Sequence, residues 1–503
     1  MKNVSWHLKL LSFMSGLVLM TPLWAQTLVD INEQKLEEIA KKGSPRLDEI
    51  QAALLKAQVD SGQTDEQFAP ELFGRAAYAE TNERAIVQFQ PIFSPIKTGQ
   101  IGVRQSFKQG FKTSAAIATQ QQSAVSSFTG KFRDVTTTVA SFTVQMDLWR
   151  DLFGRMSKAA QENASLESKR ASIENEIQLK TFSITLRRVY WSLVANQESL
   201  KISEELLKTA NQQLAESKKR FQNSVAEADE VARYEAQVAS REGSIIYLKY
   251  QKESLIKQLK NLLPELNNAE LALGNYDLPN TVNQVLACTA TIANQPSVPY
   301  DYTKYDEAIS LIKKVKKNLA DSNSRYADLD VQLYGTVKST GVDADSTKTS
   351  FYRGSYGGSI DEMTATNRSG YELGLQFTLP LGSVKESTQR TKELYDEKRL
   401  KASIDGTEAQ VINTHNQLVK SIALLTDVVR AQKVNSSQLE KRLSILKKKY
   451  SQARISVDDL ISNQDALLNS ELTTIDTQLE ILNTLFDYLV VYTDTPCPFN
   501  RMN

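Results

Sequence analysis

The sequence predicts a mainly α-helical chain built twice on one plan. Each copy has a strand pair, a very long helix, a turn and a shorter antiparallel helix, and the strands suit a membrane β-barrel. Three observations predict this. Two uninterrupted helical patterns cover 151–221 and 384–450. The sequences at their ends repeat at a constant offset of 229 residues. Strictly alternating segments such as YELGLQFTLPL (371–381) precede each long pattern.

The helical patterns come first because they are longest. Residues 151–221 contain no proline and a single glycine, Gly154. Apolar residues recur there at three- and four-residue spacing, among them Ile173, Ile177, Phe182, Ile184, Val189 and Leu193. That spacing marks one apolar stripe on a helix. Residues 384–450 behave alike. At 1.5 Å per residue each helix spans ~105 Å. Helices of this length need partners along their whole length, as in a coiled coil.

Both end in similar sequence, KRFQNSVAEADEVARYEAQVASRE and KKYSQARISVDDLISNQDALLNSE. Phe221 aligns with Tyr450, Asp229 with Asp458, Glu230 with Asp459, Val231 with Leu460, and Glu242 with Glu471. A second helix follows each junction, to about 262 and about 491. An internal repeat of this size dictates the architecture. It divides the chain into a leader (1–25), a first repeat (26–292) and a second repeat with a C-terminal tail (293–503).

Period-two alternation marks the strands. In 371–381, Tyr371, Leu373, Leu375, Phe377, Leu379 and Leu381 share one face, and Glu372, Gly374, Gln376 and Thr378 the other. ADLDVQLYGTVK (327–338) and ASFTVQMDLW (140–149) alternate likewise, and a weaker partner falls within 101–120. The connections are polar: TQQQSAVSSFTGKFRD (119–134) and 339–370. Upstream of each strand pair lies a shorter helical segment, near 30–60 and 301–325. The first is broken at Gly43-Ser44-Pro45. Two short helices stacked end to end match the length of one long one.

The N-terminus carries Lys2 and Lys9 before the apolar run LLSFMSGLVLM, and Ala25 ends TPLWA. This order reads as an export signal. The run is shorter than the ~20 residues of a membrane span, and no cysteine stands at the cleavage position. A buried N-terminal helix is the weaker reading. Net charge is +1, or −1 without residues 1–25, which gives no electrostatic case for nucleic acid. Cys288 and Cys497 are the two cysteines. Export to an oxidising compartment permits a disulfide, and two unrelated buried thiols fit equally.

Four strand candidates cannot close a barrel, for which ~8 is the practical minimum. Combining chains removes the exposed edges, and three chains would give twelve strands. The apolar face then meets lipid and the polar face lines water, with Trp149, Tyr334 and Tyr371 near the membrane borders. A sheet covered by protein is the alternative.

The order and lengths of these elements, repeated, resemble the TolC family of outer-membrane efflux proteins over essentially the whole mature chain. The junctions resemble its aromatic–x–x–small–x5–acidic–aliphatic pattern, as Phe221…Ser224…Glu230-Val231 and Tyr450…Ala453…Asp459-Leu460. The small residue is usually glycine in the family, so Ser224 and Ala453 depart from it. SPRLDEI (44–50) resembles the family's proline-containing N-terminal helix. The resemblance implies a homotrimer in the outer membrane of a Gram-negative-type cell, with a twelve-stranded barrel joined to a twelve-helix periplasmic tunnel. It implies a periplasmic adaptor and an inner-membrane transporter as partners, contact with outer-membrane lipid, and passage of cargo without chemical change.

The resemblance also assigns roles. Asp229, Glu230, Asp458 and Asp459 would belong to a periplasmic gate, with Tyr450 bonding near Glu230 and Arg454 supporting the lock from one position earlier than the family's arginine. Three copies of Asp459 near a threefold axis would form a carboxylate ring that favours cations. The plainer role for these acids is to cap helices and complement their dipoles. Ser224, Val225, Ala453 and Ile455 would form an adaptor groove. Cys288 and Cys497 would form a disulfide in the mid-tunnel girdle.

No enzymatic constellation is present. Beyond the leader there is one histidine, His415, on a helix. CxxC pairs, HExxH, GxSxG and Walker loops are missing, so no metal or cofactor is expected. DADS (343–346) lacks further ligand spacing for calcium. GSYGGS (354–359) reads as a flexible loop. The rival function is a soluble periplasmic coiled-coil scaffold or adaptor, which needs neither an outward apolar strand face nor two equal repeats.

Overall fold

The computed structural model describes residues 27–81, 92–125, 132–294, 298–299, 301, 303–323, 330–344, 352–365, 368–378, 383–452 and 454–493. The export signal, Leu379 and Leu381, Ala453 and Cys497 lie outside these residues.

In chain order the first half comprises β1 (Thr27–Ile31), α1 (Glu33–Gly43), α2 (Pro45–Glu66), β2 (Glu71–Ala79), β3 (Ile92–Ser106), β4 (Phe111–Val125), β5 (Phe132–Asp147), α3 (Arg155–Gln222), α4 (Ala228–Leu262), β6 (Ala269–Leu273) and α5 (Leu278–Ala293). The second half comprises α6 (Lys304–Asn323), β7 (Asp330–Asp343), β8 (Tyr352–Arg353), α7 (Tyr356–Thr364), β9 (Ser369–Thr378), α8 (Ser383–Ser451) and α9 (Val457–Val491). Among the described residues no helix is long and apolar enough to cross a membrane.

The repeat is present in the helices to the residue. Helices α4 and α9 both have 35 residues, and both their ends differ by 229 in number. Helices α3 and α8 have 68 and 69 residues, or about 102–104 Å each. The expected break after Gly43 is real: Ser44 ends α1, and Pro45 opens α2 where its missing N–H costs nothing. Helices α2 and α4 both pack along α3. The Ser44 hydroxyl donates to the Leu262 carbonyl at 3.1 Å, which joins α1–α2 to the end of α4. Helix α9 packs along α8 in the same way, and α6 lies between α8 and α3, with Ile309 and Ile312 against α8 and Leu311 and Val315 against α3. Each chain thus supplies four helical rows.

The main core sits at mid-length. Leu186, Tyr190 and Val194 of α3 meet Leu259 of α4, Val285 of α5, Val411 of α8, and Leu485 and Phe486 of α9. Strands β1 and β6 pair in parallel beside it. Tyr488 and Tyr492 stack with ring centroids 4.2 Å apart, and the Tyr492 hydroxyl donates to the Val411 carbonyl at 2.9 Å. Cys288 is buried here on α5 and is disulfide-bonded.

The sheet corrects the sequence reading. Four strands were expected, and the described residues form an antiparallel path of six, β2-β3-β4-β5-β7-β9, with β8 beside β5. Strands β2 and β3 lack clean alternation. Gly74, Ala76 and Ala77 dilute β2, and Pro95, Gly99 and Gly102 interrupt β3. Their pairing comes from neighbours rather than from local pattern. Much of 119–134, read as a linker, also continues β4 and β5. The described residues therefore carry six strands of one path where the sequence pattern showed four.

GSYGGS is not a flexible loop. It opens α7, whose N-cap Ser355 accepts from the Gly358 N–H at 2.9 Å. The Ser359 hydroxyl meets that of Thr138 at 2.7 Å. Helix α7 approaches β7 so closely at Gly341 that any side chain there would overlap the Ser359 carbonyl. Asp343 of the DADS segment accepts from the Ser355 N–H at 2.8 Å. It acts as a loop staple.

Row by row the sheet separates its faces. Leu72, Val103, Ala115, Phe142, Val337 and Tyr371 form one continuous cross-strand row. The adjacent row is Glu71, Arg104, Ser114, Thr143, Thr336 and Glu372. Leu373, Leu375 and Phe377 are 61–74% exposed, and Tyr371 is 88% exposed. Tyr334 departs from expectation. It lies on the polar face, where its hydroxyl donates to Glu372 at 3.2 Å.

Candidate gate at the tip of the helical hairpins

Each hairpin turns in the same way because the two junction sequences match. The Val225 N–H donates to the Arg220 carbonyl at 2.9 Å, and the Arg454 N–H donates to the Lys449 carbonyl at 3.0 Å. These are equivalent positions of the two repeats, and the bond satisfies a carbonyl left open at a helix end. Ser224 has φ 57°, in the left-handed region that favours glycine. This gives a physical reason for the family's glycine at a position where this chain carries serine.

The acids after the turns divide their work. Asp459 caps its own helix: its N–H donates to the Ser456 hydroxyl oxygen at 3.4 Å, and its carboxylate accepts from that hydroxyl at 3.0 Å. Glu230 looks inward and is 17% exposed at its side chain. It accepts from the Tyr450 hydroxyl in a short hydrogen bond and from the Ser217 hydroxyl at 3.2 Å. Arg220 lies 3.5 Å from the same carboxylate and over the Tyr450 ring, 5.0 Å from its centroid. Burial, then the bond to Glu230, pushes the Tyr450 hydroxyl above its ordinary pKa. Tyr234 lies fully buried beside this group, and burial raises its hydroxyl too.

A second tie runs alongside. Arg233 of α4 pairs with Asp229 at 3.3 Å on its own helix and with Asp458 of α9. Further along α4, the Gln237 amide donates to Gln464 at 3.2 Å and Arg241 donates to Asp465 at 2.9 Å. Residues 233, 237 and 241 are four apart and so lie on one face. The α4–α9 seam is a polar ladder, whereas the α3–α4 and α8–α9 seams bury aliphatic residues.

The structure therefore brings together Glu230 with Tyr450, and Asp229 with Asp458 through Arg233. Arg220 and Arg233 were not singled out in the sequence. The i,i+4 spacing of Asp229 and Arg233 was a legible signal for the second. Arg454 is exposed and makes no ion pair among the described residues. Ser224 and Val225 are exposed at the first turn and Ile455 is half-buried at the second, while Ala453 lies outside the described residues. Among the described residues no group of His, Cys, Asp or Glu is arranged to hold a metal.

Paired hairpins about 100 Å long beneath an antiparallel sheet with one apolar face define the architecture of outer-membrane channel proteins. Solved structures bear out that likeness. The outer membrane protein VceC of Vibrio cholerae matches with a TM-score of 0.60 at 17% identity, over 91% of this chain and 95% of that one. The Campylobacter jejuni CmeC outer membrane channel matches with a TM-score of 0.61 at 14% identity, over 93% of this chain and 86% of that one. The open state of the Neisseria gonorrhoeae MtrE outer membrane channel matches with a TM-score of 0.57 at 15% identity, over 93% and 91%. No protein-family model and no curated protein sequence matches the chain. The fold is thus the outer-membrane channel fold that the resemblance to the TolC family implied.

Proposed function

We propose that this protein is an outer-membrane channel of a tripartite efflux or secretion system. Three copies close their sheets into a barrel in the outer membrane of a Gram-negative-type cell, and their helical rows form a periplasmic tunnel. A periplasmic adaptor docks at the tip around Ser224, Val225, Ala453 and Ile455, and an inner-membrane transporter drives cargo through unchanged. The Glu230–Tyr450 and Arg233–Asp458 ties hold the two hairpins of each chain together and so keep the tunnel narrow at its tip. Asp459, one copy per chain, rings that opening. The disulfide partner of Cys288 is Cys497.

One observation carries this reading: among the described residues, helix α7 covers the apolar face only at its far end, at Thr138 and Gly341, and leaves the rows from Phe142 and Val337 to Phe377 exposed. Leu373, Leu375 and Phe377 remain more than half exposed, and an apolar surface of that kind needs a partner surface or lipid. A soluble scaffold would have to cover it.

The deciding measurement is the mass of the purified mature protein by light scattering with detergent subtracted, followed by conductance in planar bilayers. A detergent-dependent trimer that conducts is expected. A stable monomer without detergent would overturn the channel and favour the scaffold.

A further inference from the structure

Resting on the channel reading, we infer that strand β2 of each copy pairs with strand β9 of the next, so that the barrel wall has eighteen strands. The β2–β3 hairpin is then part of the wall. Both strands are edges of the six-stranded path, with one side of each unpaired among the described residues. They run in opposite directions, because the path is antiparallel throughout and contains an even number of strands. Their lengths are nine and ten residues.

The stagger within the sheet sets the register. Glu71, at the helix-proximal end of β2, shares a row with Glu372. Thr378, at the helix-proximal end of β9, lies six residues further along. Threefold symmetry puts every copy's Glu71 at one height. Full pairing of the edges therefore sets Glu71 opposite Thr378 of the neighbouring copy. Because the shift is even, every side chain keeps its face. Leu72 comes opposite Phe377 on the apolar face, and Ala76 opposite Leu373. Arg75 comes opposite Gly374 on the polar face, diagonal to Glu372 and Gln376.

A stagger of six residues per copy gives eighteen residues around eighteen strands. One residue per strand corresponds to a tilt of about 36°, within the ordinary range for barrels. A wall closed on β4 instead would seat Phe111 opposite Phe377, only two residues of stagger per copy. That is half a residue per strand and an upright tilt of about 20°.

Circumference discriminates further. Twelve helical rows about 9 Å apart make a ring of roughly 108 Å. Eighteen strands about 4.8 Å apart, tilted by about 36°, make roughly 107 Å. Twelve upright strands make roughly 61 Å and would not meet the tunnel they continue. The hairpin also carries the same apolar face as the remaining strands, since Leu72 is 74% and Ile101 57% exposed.

The test is thiol crosslinking of the full-length trimer in detergent. Ala76→Cys with Leu373→Cys joins β2 to the next copy's β9. Ala115→Cys with Leu373→Cys joins β4 to it. Under mild oxidation, or with a short bismaleimide, the first variant is expected to run as a covalent trimer on a denaturing gel and the second as a monomer. Crosslinking of the second variant, or of neither in a protein that scatters light as a trimer, overturns the eighteen-stranded wall and leaves the channel standing. A detergent-free monomer removes the channel and the wall with it.

Discussion

The Tyr450 hydroxyl of α8 donates to the Glu230 carboxylate of α4, so the second hairpin of the chain is tied to the first through one neutral donor. The ring of Tyr450 is also covered by Arg220. Removing the hydroxyl leaves a half-buried carboxylate short of a partner. Tyr450→Phe combined with Asp459→Ala is expected to raise single-channel conductance severalfold over the wild type. Unchanged conductance would show that the tip is not the narrow point. Because the Tyr450 pKa is raised, the hydroxyl keeps its proton above the pH where tyrosine ordinarily ionises. The wild-type conductance should therefore stay low from pH 7 to pH 10, and a rise at the ordinary tyrosine pKa would contradict the buried donor.

Arg233 couples Asp229 and Asp458 at a site where both sides are about half exposed. Such a pair contributes about 0.2–1 kcal/mol. Arg233→Gln alone should shift the closed-to-open ratio by no more than about fivefold. Its effect should grow in the Tyr450→Phe background, where the neighbouring Glu230 tie is already lost. The charge exchange Arg233→Asp with Asp458→Arg should restore part of the loss. Equal effects in both backgrounds would mean that the two ties do not act on one motion.

Ser224 holds φ 57° at the first turn. A side chain in that conformation is strained, and glycine relieves it against a greater loss of chain entropy. Ser224→Gly is expected to stabilise the folded chain by roughly 0.5–1 kcal/mol, read as a higher melting temperature. Ser224→Ala should bring no gain, because alanine keeps the strain.

His415 is 7% exposed on α8, with the rings of Tyr488 and Tyr492 about 6 Å away. Burial lowers its pKa below the ordinary 6.5. The unfolded chain therefore binds a proton at higher pH than the folded one. The stabilisation is fully present above about pH 6.5 and is lost as pH falls below it. His415→Gln should flatten the fall of melting temperature between pH 6.5 and 5. A variant as steep as the wild type would place the titrating group elsewhere.

Cys288 lies buried on α5 and is disulfide-bonded. Pairing with Cys497 predicts no titratable thiol in the denatured, unreduced chain. It also predicts that Cys497→Ser lowers the melting temperature and frees one thiol. Two free thiols per wild-type chain would exclude the pairing.

The helices were legible because their information is local. Apolar stripes, the Gly43-Ser44-Pro45 break and the 229-residue repeat are each carried by neighbouring residues. They located α3, α4, α8 and α9 to within a few residues. The acidic positions of the tip were legible for the same reason, since repeated sequence folds into repeated turns.

What the tertiary structure alone decided is everything that depends on partners distant in sequence. Strands β2 and β3 carry too many glycines and alanines to announce themselves, and they exist because β4 offers an edge to pair with. Helix α7 forms where Ser359 meets Thr138, more than two hundred residues away. Arg233 reads as an ordinary exposed helical charge until α9 brings Asp458 beside it. By itself the sequence determined two long hairpins and an apolar strand face. The number of strands, and the residues that tie the hairpins together, follow from non-local pairing, whose energy no single stretch of sequence contains.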